Sequence, residues 1–161
     1  MLHNPEHTEM AAQAEILLYS AARAQVVAEV IRPALASGRC VLCDRYFDST
    51  YAYQGYGRGL PLAELREITR FATGGLLPDV TLYLDLEPET GLQRRVEGGG
   101  EINRLDRETL AFHARVRAGY LELAHQEPAR WVQIDAGGTV MEVQKLLRAE
   151  IAARLTAWKA V

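Results

Sequence analysis

A chain of 161 residues, 48% hydrophobic and 24% charged, has the composition of one ordinary domain with enough apolar surface to bury a core. A formal net charge of −3 offers no global positive field, which argues against a surface built to recruit nucleic acid or an anionic membrane. No apolar run approaches the roughly 18 residues of a membrane span, and "MLHNPEHTEM" lacks the charged-then-apolar order of a signal peptide, so the expectation is a cytoplasmic protein.

From Asn4 to about Ser37 the pattern is helical and Ala-rich, with Pro5 in a first-turn position behind an Asn4 cap, Pro33 in a kink or last turn, and Gly38 as the stop. Residues Arg39 to Cys43 read as a short buried strand. Cys40 and Cys43 form a C-x-x-C, but residues three apart on a strand point to opposite faces, so core packing is expected rather than zinc or redox chemistry. Pro61 to about Thr73 reads as a helix closed by Gly74 and Gly75. A second strand follows at about Val80 to Leu86, then a helix from Pro88 to about Val96 and a polar, glycine-rich excursion, "EGGGEINRLDRE". A helix from about Arg107 to Gln126, a third strand at about Trp131 to Asp135 and a helix from about Thr139 to Trp158 complete the chain. Helices alternating with short apolar strands imply one α/β domain over residues 1–161, an open parallel sheet covered by helices on both faces. In such a sheet ligands bind beyond the carboxyl ends of the strands, where Asp44, Arg45, Asp85 and Asp135 fall.

The stretch "DRYFDSTYAYQGYGRGL" (44–60) mixes residues that a core does not need. Arg45, just past a strand end, is placed to fork onto phosphate oxygens, although Asp44 and Arg45 could equally form a structural ion pair. Ser49, Thr50 and Gln54 supply short donors and acceptors. Gly55, Gly57 and Gly59 read as a turn requiring positive φ. Upstream, Tyr19 and Arg23 lie four apart on one helical face, where a ring could stack on a base while a guanidinium donates to its carbonyl oxygen. The four histidines, His3, His7, His113 and His125, look like surface or packing residues.

Several blocks in one order resemble the C-terminal part of bacterial thymidylate kinase, which transfers a phosphoryl group from ATP to dTMP. They are "LLYSAARAQ" (17–25), "DRYFDSTYAYQGYGRGL" (44–60), "LPDVTLYLDLEPETGL" (77–92), "FHARVRAGYLELA" (112–124) and "IDA" (134–136). The resemblance implies a P-loop nucleoside monophosphate kinase-like fold, ATP and Mg2+ as co-substrate and cofactor, and a homodimer formed through the long N-terminal helix. It places Tyr19 and Arg23 on thymine, Arg45 on the dTMP phosphate, Asp44 beside the reacting phosphates, and Ser49 and Thr50 along the base pocket. It also has Gln54 read the thymine edge and Tyr53 crowd the place of a ribose 2′-hydroxyl. Residues of about 94–107 would form the lid, with Arg94, Arg95 and Arg104 turned to phosphate; here "NRLD" departs from the family's Asp-Arg-Ile-Glu-like pattern. No residue is assigned as a metal ligand.

One part of the pattern has no counterpart. The Gly-x-x-x-x-Gly-Lys-Ser/Thr loop that holds ATP phosphates occurs nowhere in the 161 residues. By resemblance, the strand that carries it would lie between the strands at 39–43 and 80–86. The expectation is therefore a fold truncated at its N-terminus, with impaired stability and essentially no kinase activity. Two alternatives stand beside it: a non-catalytic dTMP-binding or dimerisation fragment, and another nucleoside or nucleotide kinase.

Overall fold

The computed structural model describes residues 2, 4, 6, 7, 9–99 and 103–159. Helical backbone begins at Ala12, not at Asn4. Helix α1 (Ala12–Val26) runs into a wider π-helical turn (Val27–Ile31) and a last α-turn, α2 (Arg32–Ala36). Asn4 accepts instead from the Glu6 N–H at 3.0 Å in an isolated turn, and Pro5 lies outside the described residues. Pro33 sits in the first turn of α2, where its missing N–H costs least, and Gly38 ends the stretch at φ 74°.

The next segment departs from expectation. Residues Arg39 to Cys43 are not a strand: Leu42 is 92% exposed, and both Cys40 and Cys43 are exposed rather than packed in a core. The physical reason is pairing. A strand persists only where a neighbour completes its ladder, and none of the described residues supplies one here. The sheet consequently has two strands instead of three, β1 (Thr81–Asp85) and β2 (Trp131–Asp135), parallel and in register from Thr81 opposite Trp131 to Asp85 opposite Asp135. It is open at β1, whose residues are mostly half-buried and whose Leu84 is 47% exposed, so cover on both faces is incomplete.

The remaining elements follow the sequence closely. Short helix α3 (Phe47–Thr50) continues as a π-helical segment, Tyr51–Gly57, and α4 spans Leu62–Thr73. Glu64 in its first turn and Arg70 in its last complement the helix dipole, and Gly74 and Gly75 close it at positive φ. Helix α5 (Pro88–Glu97) opens on proline. Helix α6 (Leu110–Gln126) starts three residues later than expected because Thr109 caps it, accepting from the Phe112 N–H at 3.2 Å. Helix α7 (Val140–Lys159) opens on a reciprocal cap: Thr139 Oγ1 accepts from the Glu142 N–H at 3.4 Å, and Glu142 Oε2 accepts from the Thr139 N–H at 2.8 Å.

The core gathers Ile16 of α1, Phe47, Tyr51 and Ala52 of the 47–57 arm, Leu65 of α4, Phe112, Val116 and Leu123 of α6, and Trp131 of β2. Two of the three alternate glycines owe their place to this packing and not to turn geometry. Only Gly59 has positive φ. A Cβ on Gly55 would stand 2.5 Å from Leu62 Cδ2, and one on Gly57 would stand 2.7 Å from Phe112 Cε2 and 2.9 Å from Val116 Cγ2. Gly57→Ala is therefore expected to destabilise the chain by about 1–3 kcal/mol through overpacking. Gly59→Ala meets no neighbour within 4 Å, only the strain of its φ of +78°, so it should cost about 1–2 kcal/mol. Urea titration of both variants checks the first value, and a Gly57→Ala midpoint equal to the unsubstituted one contradicts it.

Candidate functional site

Three side chains of α1 lie at four-residue intervals along one face: Glu15, Tyr19 and Arg23. Arg23 is half-buried and reaches across to the 47–57 arm, donating from Nη2 to Thr50 Oγ1 at 3.0 Å and to the Tyr46 carbonyl at 3.4 Å. Its other terminal nitrogen, Nη1, is buried and has no hydrogen-bond acceptor. Burial lowers the guanidinium pKa from its ordinary value, so an acceptor there would relieve a real cost.

Arg45 holds a left-handed backbone at φ 64°, the one described non-glycine residue to do so, and its guanidinium lies 5.1 Å from the centre of the Tyr53 ring. A left-handed arginine costs about 1–2 kcal/mol, and such strain collects where a side chain must be aimed. Asp44 beside it is exposed, and the two do not form an ion pair. Ser49 is oriented from α6: its Oγ accepts from the Tyr120 hydroxyl at 2.8 Å. Tyr120 stacks on Tyr83 at 4.9 Å and meets Tyr53 edge-on at 6.3 Å, and burial pushes its phenol up to about 12. Arg45, Ser49, Tyr53 and Tyr120 line one wall of a cleft of about 1030 Å³ that extends beneath residues 39–44 to β1 and α7.

Gln54 takes a different place. It is 2% exposed and donates from Nε2 to Glu15 Oε1 at 2.6 Å. The same carboxylate, fully buried, accepts from Arg58 Nε at 3.0 Å and Nη2 at 3.2 Å, and from Arg104 Nη2. Burial alone would raise the Glu15 pKa, but the bonds from Arg58, Arg104 and Gln54 outweigh it and hold the carboxyl below its usual range. Arg104 is 7% exposed and so is not a solvated lid arginine in this conformation.

The other arginines of the 94–107 segment are also engaged. Arg94 donates to the carbonyls of Ala136 and Gly137, both at 2.8 Å, and of Gly138 at 3.2 Å, tying α5 to the loop after β2. Arg95 pairs with Asp106 at 3.2 Å. Gly100, in the glycine-rich excursion, lies outside the described residues. The strand-end acids serve structure: Asp85 is held by a forked bond from Arg117 at 2.8 and 3.1 Å, and Asp135 accepts from the Gly137 N–H at 2.8 Å.

Comparison with known proteins supplies what geometry alone does not. A family model described as thymidylate kinase matches residues 1–147. The chain belongs to the thymidylate kinase family. Relatives named thymidylate kinase include one from Roseiflexus sp. (strain RS-1), 56% identical over an alignment 142 residues long that covers 81% of this chain and 63% of the relative. Another, from Deinococcus radiodurans, is 53% identical over 140 residues, covering 87% of this chain and 68% of the relative. A third, from Synechococcus sp. (strain JA-3-3Ab), is 50% identical over 157 residues, 98% of this chain and 74% of the relative. The chain thus spans about 63% of the length of the Roseiflexus relative.

Within this thymidylate kinase family chain, sequence reasoning missed three residues. Glu15 carries a readable signal, an acid one turn before Tyr19 on an otherwise apolar stretch. Tyr120 carries none beyond lying in "RAGYLELA". Asp48 pairs with Arg130 82 positions later, and no local pattern announces a contact that distant.

Proposed function

We propose that this chain supplies the dTMP side of phosphoryl transfer from ATP to dTMP. The observation that carries the reading is the buried Arg23 Nη1 without an acceptor, one turn from Tyr19 and anchored beside Thr50. A base carbonyl oxygen would satisfy it while the Tyr19 ring stacks on the base. Arg45, held over Tyr53, would take the phosphate, with Asp44 at the same exposed rim. Ser49 and Thr50 would line the pocket, and Tyr53 would crowd a ribose 2′-hydroxyl. Gln54 would act from behind the pocket, since its amide nitrogen is committed to Glu15. Of the 94–107 arginines, Arg104 would turn to phosphate from its seat on Glu15, and Arg95 would join it from the cleft wall. The three carbonyl bonds of Arg94 favour a structural role.

A phosphate monoester with a second pKa near 6 is largely dianionic at neutral pH, so the acceptor needs positioning and charge neutralisation rather than a dedicated base. On the donor side these residues do not fit the group. The 161 residues contain no Gly-x-x-x-x-Gly-Lys-Ser/Thr, and no group of three His, Cys, Asp or Glu side chains among the described residues could hold Mg2+. No helix among the described residues is long and apolar enough to cross a membrane.

A second reading, a binding or dimerisation fragment, draws on the exposed Leu17, Leu18, Val26, Val30 and Leu35 along α1 to α2, an apolar surface suited to a second copy of the chain. Calorimetric titration with dTMP, dUMP, UMP and thymidine, paired with sedimentation, tests both. The dTMP reading expects dTMP to bind best, thymidine to lose the phosphate contact and UMP to be disfavoured at Tyr53. Equal binding of UMP, or no binding of any of the four, counts against it.

A further inference from the structure

The Glu15 cluster is an arrangement that packing alone does not require. Its carboxylate is fully buried, yet it serves donors from three separate parts of the chain: Gln54 of the 47–57 arm, Arg58 just past it, and Arg104 of the 94–107 segment. Burying one carboxylate under two guanidiniums is costly unless each bond is well made. The charges are also unequal. Arg58 has a second carboxylate, Glu108, at 2.8 Å, whereas Arg104 has no second carboxylate among the described residues and adds only the Leu2 carbonyl at 3.3 Å. Arg104 is thus the guanidinium that depends on Glu15 for its only carboxylate among the described residues. Its neighbour on the α1 face is Tyr19: after burial, the Glu15 carboxylate is the largest influence raising that phenol, and the charges of Arg104 and Arg45 act on it in the opposite sense. One turn of helix therefore separates the anchor of Arg104 from the ring assigned to the base.

We propose that Glu15 is a positioning residue that seats Arg104, and with it residues 103–107, against the Tyr19 side of the nucleotide pocket. Occupancy of the pocket and the seating of that segment are then linked through one carboxylate. The inference rests on the dTMP reading above. It adds that the segment's arginine is organised from the acceptor-nucleotide side, by α1.

The test is a double-substitution cycle on the full chain, read by dTMP calorimetry and by amide hydrogen exchange of residues 103–107 with and without dTMP. In the unsubstituted chain dTMP should slow exchange across 103–107. Glu15→Gln and Arg104→Gln should each weaken dTMP binding about tenfold, abolish that slowing, and together cost no more than the larger single loss. Glu15→Asp keeps the charge one methylene short and should fall between, which serves if Glu15→Gln does not fold. Losses that multiply to about a hundredfold overturn the proposal, as does a Glu15→Gln chain that melts lower yet binds dTMP and slows exchange as before. If the unsubstituted chain binds no dTMP, the substrate reading fails and takes this inference with it; if it binds and the variants bind equally, only this inference fails.

Discussion

Replacing Asp48 by alanine is expected to lower the unfolding free energy by about 3–5 kcal/mol. Asp48 is 4% exposed and receives a two-pronged bond from Arg130, Nη1 to Oδ2 at 2.7 Å and Nη2 to Oδ1 at 2.8 Å, with the Thr81 hydroxyl adding a third at 3.1 Å. These contacts tie α3 to the first residue of β1 and to the residue before β2. Removing one partner of a buried pair strands the other, a loss of about 3–5 kcal/mol, a large part of the roughly 5–15 kcal/mol that holds an ordinary domain together. Arg130 keeps its bonds to Glu127, the nearer at 2.9 Å, but that carboxylate is half-exposed and cannot repay the burial of the Asp48 side. Because α3 carries Ser49 and Thr50, the damage should reach the pocket as well as the fold. Chemical denaturation of Asp48→Ala against Asp48→Leu/Arg130→Met checks the cause: the double variant, which removes both charges, should recover most of the loss. A double variant no better than Asp48→Ala would place the damage in side-chain volume rather than in the stranded charge.

What the sequence shows of this fold follows from how local each signal is. The caps of α4, α5 and α7 are written within a turn of the residues they satisfy, so Gly74, Pro88 and Thr139 mark their ends in one dimension. The strands Thr81–Asp85 and Trp131–Asp135 are legible as apolar runs bounded by acids. The run "CVLC" is equally strand-like by composition, yet it stays out of the sheet, because strand formation depends on a partner that composition cannot see. The same distinction governs the glycines at Gly55 and Gly57. Their spacing suggests a turn, while the constraint is the close approach of Leu62, Phe112 and Val116.

At the site, spacing on a single helix is the strongest guide. Tyr19 and Arg23 share a face as their four-residue interval requires, and the same interval extends back to Glu15. Charge is where local reading loses its hold. Arg104 and Arg94 sit in a polar, glycine-rich stretch that suggests solvent, but one is buried on Glu15 and the other is bonded to the loop after β2. Both partners lie more than 40 residues away, at 89 and 42 positions respectively, so only the three-dimensional arrangement reveals that these arginines are engaged.

Arg23→Met is expected to have the largest effect on the nucleotide itself. The substitution keeps an unbranched apolar stem in place, removes a charge that burial already disfavours, and frees Thr50 Oγ1 and the Tyr46 carbonyl from Nη2. The free chain should lose about 1–3 kcal/mol, because the buried Thr50 hydroxyl and the Tyr46 carbonyl lose their donor. Binding should suffer, because a charged donor to a buried base carbonyl contributes about 1.5–3 kcal/mol, which corresponds to roughly ten- to a hundredfold in dissociation constant. The loss should be the same for dTMP and dUMP, which share that carbonyl, and should exceed the loss caused by Arg45→Met when thymidine is the ligand, since thymidine has no phosphate for Arg45 to hold. Calorimetry with these three ligands separates the two arginines. If Arg23→Met binds dTMP as tightly as the unsubstituted chain, the orphaned Nη1 is not a base donor, and the nucleotide must lie in the cleft lined by Arg45 and Tyr53, of which Arg23 is not a wall.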